Sequence, residues 1–417
     1  MSSTSSNLDQ RPDLTVQPGE SLQTSELPRI SVVILNLNGR HHLQPCFDSL
    51  RASDYPADKL EVVLVENGST DGSVEEMQRN HAWVKLIVNP ENVGFAAGCN
   101  QGAKAADDPD VFVFINNDMR VEPAFLRELV GPIVRGECQA TTGKMLSWDG
   151  KLINSAGGGM NFHGIGIQVG LDEVPDASHD LPRKTLFACG GAMAMDCKIY
   201  ETVGGFDDDF FAYYEDVDLG WRTWVQGYEV HYAPKSVCYH HHSATSSRLP
   251  SEMIRLLQVR NPLLACFKNY DDENLGRVLP AVFALAMRRM FLVSGLSGDD
   301  PSFRIEHARM HTSPVRRIFQ KARGALNDTV DFRRIAAADL IGYNDLLGNW
   351  NQWKARRDLV QADRKRTDQE IFSMFLKPHW SIEGEPAYQE LQEGLTSFMG
   401  LDELFSGLSA NGPEPRK

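Results

Sequence analysis

Val111 to Pro123 reads VFVFINNDMRVEP, a β-branched and aromatic run that ends abruptly in two asparagines and an aspartate. A strand of that composition is expected to be buried on both faces. Its carboxyl end then delivers Asn116, Asn117 and Asp118 to the rim of a parallel sheet, where open α/β sheets place ligands. A carboxylate there can hold a divalent cation. Carboxylate, amide and water donors suit Mg²⁺ or Mn²⁺, and such an ion brings substrate phosphates with it. The plainer reading is a strand, an Asn/Asp turn and a helix opening at Val121-Glu122-Pro123. For this stretch in isolation the plainer reading comes first, and its neighbours tip the balance.

Upstream, ISVVILNLN at residues 30–38 reads as a first buried strand, followed by Leu43, Phe47 and Leu50 at helical spacing with Pro45 near the helix start. LEVVLV at 60–65 is a second strand that runs into the turn residues Glu66-Asn67-Gly68-Ser69-Thr70-Asp71-Gly72. A helix carrying Val74 and Met77 follows, then a strand at 84–88. Asn92 to Gly102 combines small residues with helical continuation, which lets a helix backbone approach a sheet or a ligand. Four strands alternating with helices predict a right-handed βαβ series. The fold class is α/β, with a doubly wound, mostly parallel nucleotide-binding sheet.

Downstream of Glu137 the rhythm changes to short strands and Gly-rich turns, Lys144 to Gly170, expected to cover one face of the site. Neither His163 nor His179 has an assignable partner in the sequence. LFACGGAMAM from Leu186 follows, its two glycines allowing close backbone approach. Gly204 to Asp207 then leads through Phe210, Phe211, Tyr213 and Tyr214 into Glu215-Asp216-Val217-Asp218. A small strand around Val230 and Tyr232 precedes Ser236 to Ser243, which holds His240, His241 and His242. From Met253 the pattern is helical, broken once at Arg260-Asn261-Pro262, and the charge-rich Arg356 to Arg366 reads as a solvated helix face. These shifts give a disordered leader at 1–28, an α/β domain at 29–252, a helical extension at 253–410 and a disordered tail at 411–417.

Composition narrows the function. The 417 residues carry 42 basic against 56 acidic side chains, a net charge of -14, which argues against a general nucleic-acid binder. Seven cysteines, odd in number and without a CxxC pair, fit a reducing cytoplasm, with Cys99 and Cys189 read as small core residues. The leader lacks the apolar core of a signal peptide. No run reaches the roughly 18 apolar residues of a membrane span. Val278 to Leu296 comes nearest and is broken by Arg288 and Arg289, so it reads as a helix packed on protein or lying along a surface.

Three polar groups call for one explanation: Asn116 with Asp118, Glu215 with Asp216, and the histidine triplet. Glu215 could simply cap a helix through Leu219, since carboxylates are favoured at helix N-termini. Asp216 fits that reading less well, because Phe210, Phe211, Tyr213, Tyr214 and Trp221 around it could line a sugar-sized pocket. His241 and His242 read as surface residues. His240 follows the apolar Val237-Cys238-Tyr239 and could reach a metal as an imidazole ligand.

SVVILNLN, VENGSTDGS, NVGFAAGCNQG, INNDM, CGGAMAM, GGFDDDFFAYYEDVDLGWR and YHHHSAT, in this order and spacing, resemble the bacterial family 2 glycosyltransferases, most closely their rhamnosyltransferase-like subgroup. The resemblance covers about residues 30–270. RNPLLACFKNY and RKRTDQEIFSMF are similar to the helical C-terminal extension of that subgroup. The resemblance implies a GT-A fold and a nucleotide-diphosphate sugar as donor. It places Glu66 at the base, where the family has aspartate, with Asn67 and Asp71 completing that loop. Asn36 and Asn38 at the end of the first strand, Gly94 and Asn117 are assigned to the nucleotide side. Asn116 and Asp118 stand for the metal-binding DxD motif, with Asp118 and His240 as ligands of Mg²⁺ or Mn²⁺. Glu215-Asp216 matches the family's ED motif, whose second member is the catalytic base. Glutamate at 66 leaves the nucleobase open, and asparagine at 116 removes one charge from the metal shell.

The chemistry agrees with this assignment. Sugar transfer needs charge neutralisation on the leaving diphosphate and removal of a proton from the acceptor hydroxyl, tasks for a metal on Asp118 and for the Asp216 carboxylate. A base opposite the leaving group gives inversion. The function expected is an inverting, metal-dependent glycosyltransferase acting in the cytoplasm on a cell-envelope or exopolysaccharide acceptor. That acceptor is a glycan or lipid-linked, with peripheral membrane contact through Leu275 to Leu296. Two rivals are a catalytically silent nucleotide-sugar-binding module that recruits a partner through its helical C-terminus, and a nucleotidyltransferase. Against the latter, Asn36-Leu37-Asn38-Gly39-Arg40 offers only one arginine where a basic Gly-rich loop is needed.

Overall fold

In the computed structural model, residues 14–17, 19, 22–241, 250–294, 334–406 and 408 are described. The strands are β1 (Ile30–Asn36), β2 (Leu60–Asn67), β3 (Lys85–Asn89), β4 (Val111–Asn116), β5 (Met119–Val121), β6 (Ala140–Ser147), β7 (Ile153–Ser155), β8 (Gly158–Met160), β9 (Gly166–Gln168), β10 (Arg183–Lys184), β11 (Ala192–Asp196) and β12 (Val230–His240). The main sheet runs β10-β12-β6-β11-β4-β1-β2-β3, with β5 on β12 and β7 on β6, while β8 and β9 form a separate hairpin. β1, β2, β3 and β4 pair in parallel, as do β6 and β12. β11 runs antiparallel between β4 and β6. The expected α/β, mostly parallel sheet is therefore present, in mixed form.

Alternation along the strands explains the layers. Val32 and Ile34 of β1 with Val113 and Ile115 of β4 join one core, together with Leu43, Phe47 and Leu50 of α1 (Arg40–Arg51). Val33, Phe112 and Phe114 point the other way, into a second core. The helices are α2 (Ser73–Asn80), α3 (Phe95–Ala105), α4 (Phe125–Val134), α5 (Cys197–Thr202), α6 (Glu215–Val225), α7 (Ser251–Asn269), α8 (Asp272–Ser294), α9 (Arg334–Gly348) and α10 (Trp350–Ala362). Three further helices span Asp368–Ile371, Pro386–Phe398 and Leu401–Leu404. Leu263, Leu264, Val278, Leu346, Trp353 and Phe405 belong to the same second core as Phe114, so the C-terminal helices are packed onto the sheet's face. A buried polar seam joins α6 to α7. Lys268 pairs with Asp218 at 2.9 Å and with Asp207 at 2.5 Å, while Asn269 Nδ2 donates to Asp218 Oδ1 at 2.9 Å.

Several expectations are corrected. The helix read at Val121-Glu122-Pro123 begins instead at Phe125, because Met119, Arg120 and Val121 pair with His240, Tyr239 and Cys238. A distant strand thus overrides a local turn signal, and Asp118 sits in the tight link between β4 and β5. The two short segments at 230–232 and 236–240 are one strand with a bulge between Ala233 and Val237. Pro262 lies inside α7 without ending it, held there by the burial of Asn261, Leu263 and Leu264. The run Arg356 to Arg366 is a solvated face only in part: Arg356, Asp358, Asp363 and Lys365 are exposed, but Arg357 is buried, donating to the carbonyls of Phe267 and Tyr270 and pairing with Asp272. Part of the leader is ordered, since Val16 N donates to Pro182 O at 3.1 Å and Leu27 is buried. Residues 1–13 and the tail at 411–417 lie outside the described residues. His179 finds carboxylates at Asp176 and Glu173, 3.0 and 3.3 Å away.

Residues 278–294 of the stretch read as a surface helix belong to α8. Val278, Ala281, Val282 and Leu285 are buried, and Arg288 and Arg289 pair with Glu385 and Glu383. Among the described residues no helix is long and apolar enough to cross a membrane.

Candidate active site

A cleft of about 410 Å³ opens at the carboxyl ends of the central strands. Asn67, Gly94, Asn116, Asn117, Asp118, Glu215, Asp216 and His240 all line it. The three groups that the sequence left scattered therefore share one cavity. His241 is exposed, and His242 lies outside the described residues.

At one corner Asp118 Oδ1 lies 3.1 Å from His240 Nε2, and Asn116 Nδ2 lies 3.4 Å from the same nitrogen. The β5–β12 pairing brings them together, by placing Met119 opposite His240. Burial alone would push the Asp118 carboxyl up. Its hydrogen bond to His240 and the charges of His240 and His42 outweigh that and hold it below the ordinary range. Two ligands at about 2.1 Å on adjacent octahedral positions lie about 3 Å apart, close to the Asp118–His240 separation. Among the described residues no group of three or more His, Cys, Asp and Glu side chains could hold a metal. The donor set thus fits a cation that completes its shell with substrate oxygens and water.

The nucleotide-side residues form two layers. Asn67, on the cleft wall, donates to Asn92 Oδ1 at 2.8 Å and accepts from Val93 N at 3.0 Å, which shapes the loop before α3. Gly94 has φ +92°, and a Cβ there would stand 2.6 Å from Phe211 O. Only glycine fits that approach. Asn117, also on the wall, donates to Asn36 behind it, and Asn36 donates to Glu66 Oε1 at 2.7 Å. Glu66 is fully buried, and burial raises its carboxyl above the ordinary value. Asn38 Oδ1 accepts from Thr70 N at 2.7 Å, and Asp71 accepts from Arg40 N at 2.9 Å, so both fasten the loop after β2 to the start of α1. Asn36, Asn38, Glu66 and Asp71 brace the site and do not line the cleft.

Elsewhere on the cleft lining, α6 begins at Glu215. Glu215 does not cap it through its side chain. Asp216 Oδ2 accepts from Gly190 N at 3.1 Å and Oδ1 from Val217 N at 2.8 Å. The surrounding protein pushes both carboxyls up, and for Glu215 the charge of Asp216 adds to the burial. Two backbone N–H groups favour the ionised form of Asp216 and work against that rise.

Gly166 and Gln168 of β9, within the Gly-rich stretch expected to cover one face of the site, line the cleft. Gln258 of α7 and Cys189 also line it, and neither was placed there by the sequence reading. Cys189 is half-buried, packing against the core while it faces the cleft. Gln258 was hidden by its place in a helix far along the chain.

Residues 31–204 match the family described as Glycosyl transferase family 2. Over 230 residues the chain is 29% identical to "O-antigen biosynthesis protein RfbC" of Myxococcus xanthus, covering 52% of this chain and 18% of that protein. Over 245 residues it is 25% identical to "N-acetylglucosaminyl-diphospho-decaprenol L-rhamnosyltransferase" of Mycobacterium tuberculosis, covering 53% of this chain and 79% of that one. A crystal structure of GalNAc-T7 with UDP, GalNAc and Mn²⁺ aligns with a TM-score of 0.51 at 18% identity, over 62% of this chain and 51% of the other. That last likeness is one of fold. Through residues 31–204 the chain is similar to glycosyl transferase family 2, and its fold is GT-A.

Proposed function

We propose that this protein is an inverting, metal-dependent glycosyltransferase. It moves a sugar from a nucleotide-diphosphate donor to a hydroxyl of a glycan or lipid-linked cell-envelope acceptor at the cytoplasmic face. The mycobacterial relative's printed name makes rhamnose the first sugar to try. One observation carries the reading: Asp118 and Asp216 line the same cleft from different elements. Asp118 and His240, with Asn116 beside them, would hold Mg²⁺ or Mn²⁺, which when bound neutralises charge on the leaving diphosphate. Asn67, Gly94 and Asn117 form the wall against which the nucleotide lies, and Asn36, Asn38, Glu66 and Asp71 brace it. Asp216 takes the proton of the acceptor hydroxyl as it attacks from the face opposite the diphosphate.

The reading is tested by thermal shift with UDP-, dTDP- and GDP-sugars, with and without Mn²⁺, since a ligand that binds only the folded state raises its stability. One donor is expected to raise Tm in a Mn²⁺-dependent way. If no nucleotide sugar does so, the reading fails.

A further inference from the structure

The backbone between Phe210 and α6 is strained. Phe211, at φ 63° and ψ −65°, is the centre of a γ-turn closed by Ala212 N donating to Phe210 O at 2.7 Å. The γ-turn of that hand is rare and strained. Tyr213 and Tyr214 follow at φ 67° and 66°, a region that side-chain-bearing residues seldom occupy. Such a backbone persists only where its surroundings hold it.

What holds it is one side chain of the C-terminal helical region. Asn261 is fully buried, and its Nδ2 donates to Phe210 O, Ala212 O and Tyr213 O at 2.9, 2.9 and 2.7 Å. An amide has two hydrogens, so one of them is shared. Arg260 orients the amide: its Nε donates to Asn261 Oδ1 at 2.9 Å, which turns the nitrogen toward the loop, and its Nη2 donates to Asp209 O. The held segment touches both halves of the site. Phe211 O accepts from Phe95 N and Ala96 N at 2.5 and 3.2 Å, at the N-terminus of the helix behind Gly94. At the other end, Tyr214 leads directly into Glu215 and Asp216.

We infer that Asn261 is a positioning residue for the transfer reaction, fixing the Phe210–Tyr214 backbone so that the Asp216 carboxylate and the donor wall keep one spacing. This rests on the proposed function and adds the sequence Arg260-Asn261-Pro262 to it: the triplet clamps the loop rather than breaking the helix. Asn261 touches no reacting atom, so its loss acts through distance and angle. Misplacement by about 1 Å costs a reaction of this kind about 100-fold.

The test compares wild type, Asn261→Ala and Arg260→Ala as full chains, by transfer kinetics, nucleotide affinity from calorimetry, and hydrogen exchange without substrate. For Asn261→Ala, kcat is expected to fall about 100-fold with nucleotide Kd within about 3-fold. The Phe95 and Ala96 amides are expected to exchange faster. For Arg260→Ala, which removes one carbonyl contact and the amide's orientation, a fall of about 10-fold is expected with the same exchange signature. Folded Asn261→Ala with wild-type kcat, or with kcat and affinity lost in equal measure, overturns the inference. If Asn261→Ala does not fold, an Arg260→Ala protein with unchanged kcat and exchange overturns it. Should wild type show no transfer with any donor, the functional reading fails, and exchange at Phe95 and Ala96 still decides whether Asn261 holds the loop.

Discussion

Asp118 Oδ1 and His240 Nε2 meet at 3.1 Å although one lies just beyond the fourth strand and the other ends the twelfth. The contact depends on β5, three residues long, which turns the chain back along β12. In the functional reading this is where a divalent cation is held, and the carboxylate is already kept ionised by its partner. Asp118→Ala is expected to abolish Mn²⁺ binding by calorimetry and to lower transfer at least about 100-fold, within the range seen for lost metal-site groups. Undiminished Mn²⁺ affinity would remove Asp118 from the metal site.

The Asp216 carboxyl is raised by the protein around it. A base must be ionised, so turnover should fall on the acid side with a midpoint above the ordinary aspartate value of about 3.9. For stability the sign is opposite: a raised carboxyl favours the folded state at low pH and loses that contribution as pH rises through its folded value. A pH profile of kcat checks the first point. A flat rate down to about pH 4 would contradict it.

Gly94→Ala places a methyl 2.6 Å from Phe211 O on a backbone with φ +92°. The expected cost is about 1–3 kcal/mol of folding stability, read from urea unfolding, together with weaker nucleotide binding. A stable variant with wild-type affinity would mean that the Phe211 carbonyl yields without consequence.

Lys268 is the buried cation between Asp207 and Asp218. Lys268→Met leaves Asp207 without its close cation while Asp218 keeps Arg222 at 2.8 Å, and a loss of about 3 kcal/mol is expected in denaturant unfolding. Burial pushes the Asp207 carboxyl up, but the charge of Lys268 prevails and holds it at about 2. That contribution is present above the unfolded value and is lost as pH falls through about 2, so the variant's deficit should shrink in strong acid. An equal deficit at all pH values would place the loss in packing instead.

The strands were legible to within two residues because apolar runs stop at turn-forming residues: the first, read to Asn38, ends at Asn36, the second, read to Val65, ends at Asn67, and the fourth ends at Asn116. Asp118, Asp216 and His240 could be named one by one, since each follows an apolar or aromatic run. That they share one site followed from the resemblance and not from local pattern: the contact of Asp118 with His240 depends on β5 pairing with β12, and a three-residue strand has no periodicity to detect. Asn261 was taken for part of a helix break. Local chemistry favours that reading at a proline, and the carbonyls that occupy its amide lie in a loop far earlier in the chain. Arg357 read as solvated for the same reason, its carbonyl partners being contributed by α7 and the residue after it.

The assignment of Asp216 as the base is tested most directly by Asp216→Asn, which keeps the shape of the side chain and removes its basicity. Transfer of labelled sugar from the donor found by thermal shift should fall about 10²- to 10⁴-fold while nucleotide affinity stays within about 3-fold. Turnover equal to wild type in a folded, donor-binding Asp216→Asn protein would contradict it.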